Sequence, residues 1–339
     1  MITRTSFLRG ALLALALAGA PAPALAGATG LPAGHCINVA GHFETGRESG
    51  WGGKLLDEGD LRNIRAAGFD TIRLPVKWLG HSSPRRPYTI DPKWMARISE
   101  VVDQALANGL NVILNSHYFT PVEKNPARAA PRLAALWGQI ARHFADRPAA
   151  HLWFEIENEP HGKLTNANLM ATLGPSLAAI RSISPDRPVI IGGDHWSSVD
   201  SLATLDLPGD PNVYPTFHYY EPFEFTHQGA SWIDPVPALG RVYGLAKDKA
   251  RLAADVAKVK AYIARTGRIP FMGETGAYVT APLEQRIAYH RAVYDAFTPL
   301  GVSQCEWAYT NTFPFYDYKK REWLPGMLEA IGLRRPVPQ

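Results

Sequence analysis

"AHLWFEIENEP", residues 150–160, is an apolar run that carries three glutamates at alternate positions and stops on a proline. As a β-strand it sends Glu155, Glu157 and Glu159 to one face, because successive side chains alternate. Burying a carboxylate without a partner is costly, and pairing, hydrogen bonding or protonation are the usual escapes. Pro160 cannot donate to a ladder and favours an extended residue before it, which puts Glu159 at the strand's exit. Glu155 and Glu157 lie deeper, and internal hydrogen bonds or a neighbouring cation account for them.

Seven further strand-like runs surround this one: "CINVAG" (36–41), "DTIRLPV" (70–76), "NVILNSHY" (111–118), "PVIIGG" (188–193), "NVYPTFHYY" (212–220), "IPFMGET" (269–275) and "VSQCEWAY" (302–309). Helical patterns lie between them. In the clearest, Asp91 caps, Pro92 takes the first turn, and Trp94, Met95, Ile98, Val101, Val102, Ala105 and Leu106 recur at helical steps until Asn108-Gly109. Others cover about 60–67, 131–145, 166–183, 249–266 and 283–297, and only the connection 197–207 is short and ambiguous. Eight strands each followed by a crossover predict an α/β fold, a (β/α)8 TIM barrel in a single domain. An open doubly wound sheet would need a Gly-rich phosphate turn, and residues 38–53 lack the GxGxxG register.

Barrels of this kind hold their active sites at the C-terminal strand ends. Those ends present Arg73, His117, Asn158 with Glu159, His218 with Tyr220, Glu274 and Trp307. The set "FEIENEP", "RLPV" after the second strand, "HY" ending the third, "FHYY" the sixth, "GET" the seventh and "EW" in the eighth resembles glycoside hydrolase family 5, the cellulase-type retaining β-glycosidases. The resemblance implies Glu159 as general acid/base and Glu274 as nucleophile. It also implies that Asn158 holds the substrate's 2-hydroxyl and that Arg73 orients Glu274 and keeps it ionised. His117, His218 and Tyr220 would line the site, with Trp307 beneath the sugar. For Asn158 and Glu159 both to face the pocket, strict alternation must break, and a local bulge would allow it.

Retaining hydrolysis supplies its own reason for two carboxyls: one protonates the leaving oxygen while the other, about 5–5.5 Å away, attacks the anomeric carbon. Arg73 beside Glu274 is expected to lower one pKa, while negative charge and partial burial raise that of Glu159. Three rival chemistries fit less well. A metal hydrolase using His117, His195 and His218 would want closely spaced histidine ligands, and no HxH or HxxxH pair occurs at these ends. A sugar-binding barrel without activity would be expected to have lost one of the glutamates. An isomerase would want a phosphate loop after the seventh or eighth strand, and "ETGAYVTAPLEQ" makes a poor one.

Residues 1–26 have Arg4 and Arg9, an apolar run and an Ala24-Leu25-Ala26 end, the pattern of a Sec-type bacterial signal peptide. The expected organisation is therefore a leader of 1–26 and a catalytic domain of 27–339, secreted or periplasmic. The formal charge of +4 drops to about +2 when both arginines leave. No Lys/Arg run points to nucleic acid, and no metal, nucleotide or flavin signature occurs. The expectation is a monomer without cofactor, and without a membrane partner once the leader is gone. Cys36 and Cys305 fall on the first and eighth strands, neighbours in a closed barrel, and either a disulfide or two buried thiols would fit. Trp51, Trp78, Trp196, Trp232 and Trp307 are expected on the rim, where aromatic faces suit pyranose rings. The long segment after the sixth strand would form one wall of a cleft for several sugars. The expected substrate is a β-linked polysaccharide, first a β-1,4-glucan or mixed-linkage glucan attacked internally, with β-mannan and β-1,3-glucan as alternatives.

Overall fold

The computed structural model describes residues 27–50 and 54–336. The leader expectation and Trp51 fall outside them. Eight parallel strands close into a barrel: β1 (His35–Asn38), β2 (Thr71–Val76), β3 (Asn111–Ser116), β4 (Leu152–Glu155), β5 (Val189–Gly192), β6 (Val213–Tyr219), β7 (Phe271–Thr275) and β8 (Gln304–Glu306). All eight expected runs contain strands, each shorter than its run.

Six helices pack outside: α1 (Glu58–Ala66), α2 (Pro92–Ala107), α3 (Pro126–His143), α4 (Leu169–Arg181), α5 (Ala246–Thr266) and α6 (Leu283–Phe297). Asp91 does cap α2, accepting from the Lys93 N–H. α3 starts five residues before the sequence pattern suggests, since Asn125 caps it through the Arg128 N–H and Pro126 occupies its first turn. The ambiguous fifth crossover holds a 3₁₀ turn, Val199–Ala203, in place of a full helix.

The strand alternation sorts the residues into two packed regions. Ile72, Leu74, Val112, Leu114, Phe154, Ile156 and Ile191 face the helices in the main core. Cys36, Ile113, Trp153, Ile190, Phe271 and Cys305 fill the lower barrel interior, capped from below by Leu31 and Ala33. Cys36 and Cys305 stand directly opposite in the β1–β8 register and are joined as a disulfide. One residue pair further up, the interior turns polar, with Asn38 opposite Arg73 and Asn115 opposite Glu155. That polar layer is the floor of the site.

Candidate active site

Arg73 organises the floor. Its Nε and Nη2 donate to the two oxygens of Glu155 at 2.6 and 2.8 Å, Nη2 also to Asn158 Oδ1 at 2.6 Å, and Nη1 to Asn38 Oδ1 at 2.9 Å and Glu274 Oε1 at 2.8 Å. A guanidinium has five N–H donors, so all are used. The cation is fully buried and its pKa is raised, burial being overcome by Glu155 and Glu274. Glu155 is thus the partnered internal carboxylate that its depth suggests.

The three glutamates do not stay on one face. The ladder ends at Glu155, and the following residues leave it, Ile156 turning to the core while its carbonyl accepts from Trp137 Nε1 at 2.9 Å. Glu157 is buried against the third strand's exit, accepting from the Phe119 N–H at 3.2 Å and Ser116 Oγ at 3.3 Å, and burial lifts its pKa well above the usual range. Asn158 turns in to Arg73, and Glu159 takes a left-handed backbone (φ +50°) that aims it at the cleft. The break in alternation comes from that turn after the strand, not from a ladder bulge.

Glu159 and Glu274 face each other across the mouth. An oxygen of each, together with a ring nitrogen of His218, lie within 4.8 Å of one another. His218 Nδ1 is 2.9 Å from Glu159 Oε1 and 3.6 Å from Glu274 Oε2, and Tyr220 Oη donates to Glu274 Oε2 at 2.9 Å. Gly273 makes this packing possible, since a Cβ there would come within 2.9 Å of His218 Nε2. The same three donors have the chemistry to ligate a divalent cation.

The side chain of Glu159 keeps about a quarter of its surface open to the cleft (24%), yet burial in the surrounding protein pushes its pKa up to about 7. Glu274 also moves upward. Burial outweighs the opposing pull of His218 and Arg73, so the guanidinium moderates this carboxyl without bringing it below the ordinary value, contrary to the sequence-based expectation. His117 and His218 are both lowered by burial and are neutral near pH 7.

The family model for cellulase (glycosyl hydrolase family 5) matches residues 33–312. The chain belongs to glycosyl hydrolase family 5. Endoglucanase H of Acetivibrio thermocellus is 30% identical to this family 5 chain over 300 residues, which cover 87% of the chain and 32% of that protein. Endoglucanase B of Clostridium cellulovorans is 27% identical over 85% of the chain and 70% of its own length. The chain therefore spans about a third of the first of these relatives. Among solved structures, endoglucanase Cel5A of the hyperthermophilic Thermotoga maritima superposes with a TM-score of 0.84 at 35% identity, over 88% of this chain and 96% of that one.

In this family 5 barrel the mouth opens into a cleft of about 990 Å³ whose walls include Glu159, Glu274, His117, His218, Tyr220, Trp307 and Trp196. Asn158 is buried on the floor beside them, through its bond to Arg73. His117 stacks on Trp307 at 5.9 Å, and the Trp307 N–H donates to Thr275 O, which fixes the ring at the eighth strand's exit. Trp196 is 56% exposed and lies on His161 at 4.8 Å, next in the chain after Pro160, so this platform is tied to the loop that carries Glu159. Trp232, from the long segment after β6, stands edge-on to Tyr278 at 4.9 Å and forms the expected wall. Trp78 corrects its assignment: it is buried, with Nε1 donating to Asn115 O, and belongs to the core. His117, His195 and His218 line the same cleft, but the donors that converge are Glu159, His218 and Glu274.

Three contributors escape the sequence reading. Asn38 bridges Arg73 and the Gly273 carbonyl, and a polar residue ending the apolar first strand is the signal that could have marked it. Tyr118, quoted from the sequence in the "HY" motif but given no role there, reaches the cleft through a left-handed backbone (φ +57°). Phe313 joins the wall from the long loop after β8.

Proposed function

We propose that this chain is a retaining glycoside hydrolase that cuts β-1,4-glucan internally, with Glu159 as acid/base and Glu274 as nucleophile. The observation that carries the reading is the close approach of the two carboxyls, within 4.8 Å by their nearest oxygens. That gap suits direct attack on the anomeric carbon and is too small for the water that inverting enzymes place between carboxyls about 6.5–9.5 Å apart. Glu159, with a pKa near 7, holds a proton to deliver to the leaving oxygen. Glu274, hydrogen-bonded by Arg73 and Tyr220, is oriented for attack with its charge supported by fixed donors. Once the glycosyl-enzyme forms, Glu159 takes a proton from the incoming water. The Asn158 amide has its oxygen held by Arg73 and its N–H₂ group beside Glu159, the side on which the substrate's 2-hydroxyl would be met.

The endo mode is supported by an open cleft whose walls carry several aromatic side chains, Trp307 and Trp232 grouped around Phe313 and Trp196 stacked on His161 beside the Glu159 loop. β-Mannan is the second substrate to consider, because structures of Thermotoga maritima Cel5A include complexes with cellobiose and with mannotriose. Residues 1–26 serve as an export leader for the domain 27–339 on this reading, which would act as a monomer outside the cytoplasm or in the periplasm. Reducing-sugar release on carboxymethylcellulose, mixed-linkage β-glucan, laminarin, mannan and xylan, beside a Glu274→Gln control, is the test. Activity that vanishes in the control, with a first product of retained anomeric configuration by NMR, supports the proposal. Equal signals in both proteins, or an inverted product, would overturn it.

A further inference from the structure

A second cavity of about 770 Å³ lies beside the cleft, between the loops that follow β1, β7 and β8. Asn311 lines both. It sits over Gly41 (φ +90°), where an added Cβ would come within 2.6 Å of Asn311 Nδ2.

Arg286, in the first turn of α6, lines this cavity and is 3% exposed. It donates through Nη2 to Pro314 O, its Nε has no partner among the described residues, and burial draws its pKa down to about 10 with no nearby carboxylate to resist the shift. A buried guanidinium without a counter-charge is expensive unless something else satisfies it. Arg187 shows the structural solution: it too lacks a carboxylate and has an unpartnered Nε and a pKa drawn down to about 10 by burial, but its Nη1 and Nη2 go to three carbonyls, of Leu152, Phe144 and Arg147, and it covers the Phe154 ring at 4.9 Å, whereas Arg286 has one such bond. Arg187 belongs to the packed exterior of the barrel, whereas Arg286 faces an open space.

Arg286 and Lys319 are the cations of this lining with no salt-bridge partner among the described residues. Lys54 is held by Asp57 and Asp60, while Lys319 is exposed on the same wall. Asp317, the one carboxylate of the lining, accepts from the backbone N–H groups of Lys319 and Lys320. Pro282 and Leu283 bring the start of α6 to the wall, and no side chain caps that helix. A helix N-terminus favours anions.

We propose that this cavity is an oxyanion subsite, in which Arg286 and Lys319 bind an acidic substituent, a carboxylate or a phosphate ester, carried by the same glycan whose backbone lies in the cleft. Arginine's planar fork matches either group. The inference rests on the glycan-cleaving function proposed above, and it makes acid-decorated glucans better substrates than neutral ones.

The test compares kcat/KM on a neutral cello-oligosaccharide with kcat/KM on the same backbone bearing one carboxymethyl group, in wild-type, Arg286→Gln, Arg286→Lys and Lys319→Gln proteins. Turnover of the neutral substrate reports on the catalytic reading separately. The expected wild-type preference for the acidic substrate is about tenfold; it should fall severalfold in Lys319→Gln, vanish in Arg286→Gln and persist partly in Arg286→Lys, with neutral turnover unchanged. Added salt should erode the wild-type preference as well. Calorimetric titration with inorganic phosphate and with free glucuronate separates a free-anion site from a glycan-borne one. A preference equal in wild-type and Lys319→Gln proteins and insensitive to salt, or phosphate binding with no substrate preference, overturns the proposal even if Arg286→Gln fails to fold.

Discussion

Replacing Arg73 with Met removes the cation on which two buried carboxylates converge. Glu155 and Glu274 lie with side chains 1% and 6% exposed, both within 2.8 Å of the guanidinium, and Asn38 and Asn158 lose a donor at the same time. Breaking a buried pair by deleting one partner costs about 3–5 kcal/mol, because the other charge is left without compensation. Two carboxylates share this cation, so the upper end of that range applies near pH 7.5. The loss should depend on pH in a definite sense. Without Arg73 the folded protein holds Glu274, already raised by burial, more readily as the acid, so it binds more protons than the unfolded chain above about pH 4.5. Stability of the variant therefore falls as pH rises through that region, and its deficit against wild type is small at pH 4.5 and full at pH 7.5. Urea unfolding followed by tryptophan fluorescence at the two pH values measures this directly. A deficit below about 1 kcal/mol at pH 7.5, or one equal at both pH values, would refute the account of Arg73 as the shared counter-charge.

Other expectations follow from the same geometry. With the Glu159 pKa at about 7, kcat/KM on unactivated glycans should fall above that pH by about tenfold per unit, since the acid must arrive protonated, while Glu159→Gln should lose turnover of those glycans yet keep bond cleavage on activated aryl glycosides with no such limb. Tyr220→Phe deletes the 2.9 Å hydrogen bond to Glu274 and should lower kcat about 10- to 100-fold, as a bond to a charged group contributes about 1.5–3 kcal/mol; an unchanged kcat would remove Tyr220 from the nucleophile's support. Trp196→Ala should reduce kcat/KM on long oligosaccharides about 2- to 10-fold while leaving the melting temperature nearly unchanged, because the ring is more than half exposed; a large thermal shift would show a packing role instead.

The barrel was legible because its strands are buried on both faces and read as short apolar runs between helices with explicit caps, such as Asp91-Pro92. The rim residues were legible because polar side chains ending apolar strands are few, and those named from the sequence reach the cleft or its floor. What sequence could not show were features set by tertiary context. Glu159 and Tyr118 owe their aim to left-handed backbone that no glycine or turn motif marks. Trp78 looks like a rim aromatic because it follows a strand, yet the chain folds its ring back over the third strand. The ionisation of Glu274 went the other way from the sequence argument because proximity to Arg73 is visible in a motif, whereas desolvation depends on everything packed around it.

The bond between Cys36 and Cys305 spans 269 residues and links the first barrel strand to the last. The chain is in effect a ring with two short tails. A protease that nicks any surface loop between those positions leaves both pieces joined, so a cut there opens the circle without releasing a fragment until the sulfurs are reduced. Native mass should survive a first cut where a reducing gel shows two bands, and only a second break within the ring frees a fragment covalently.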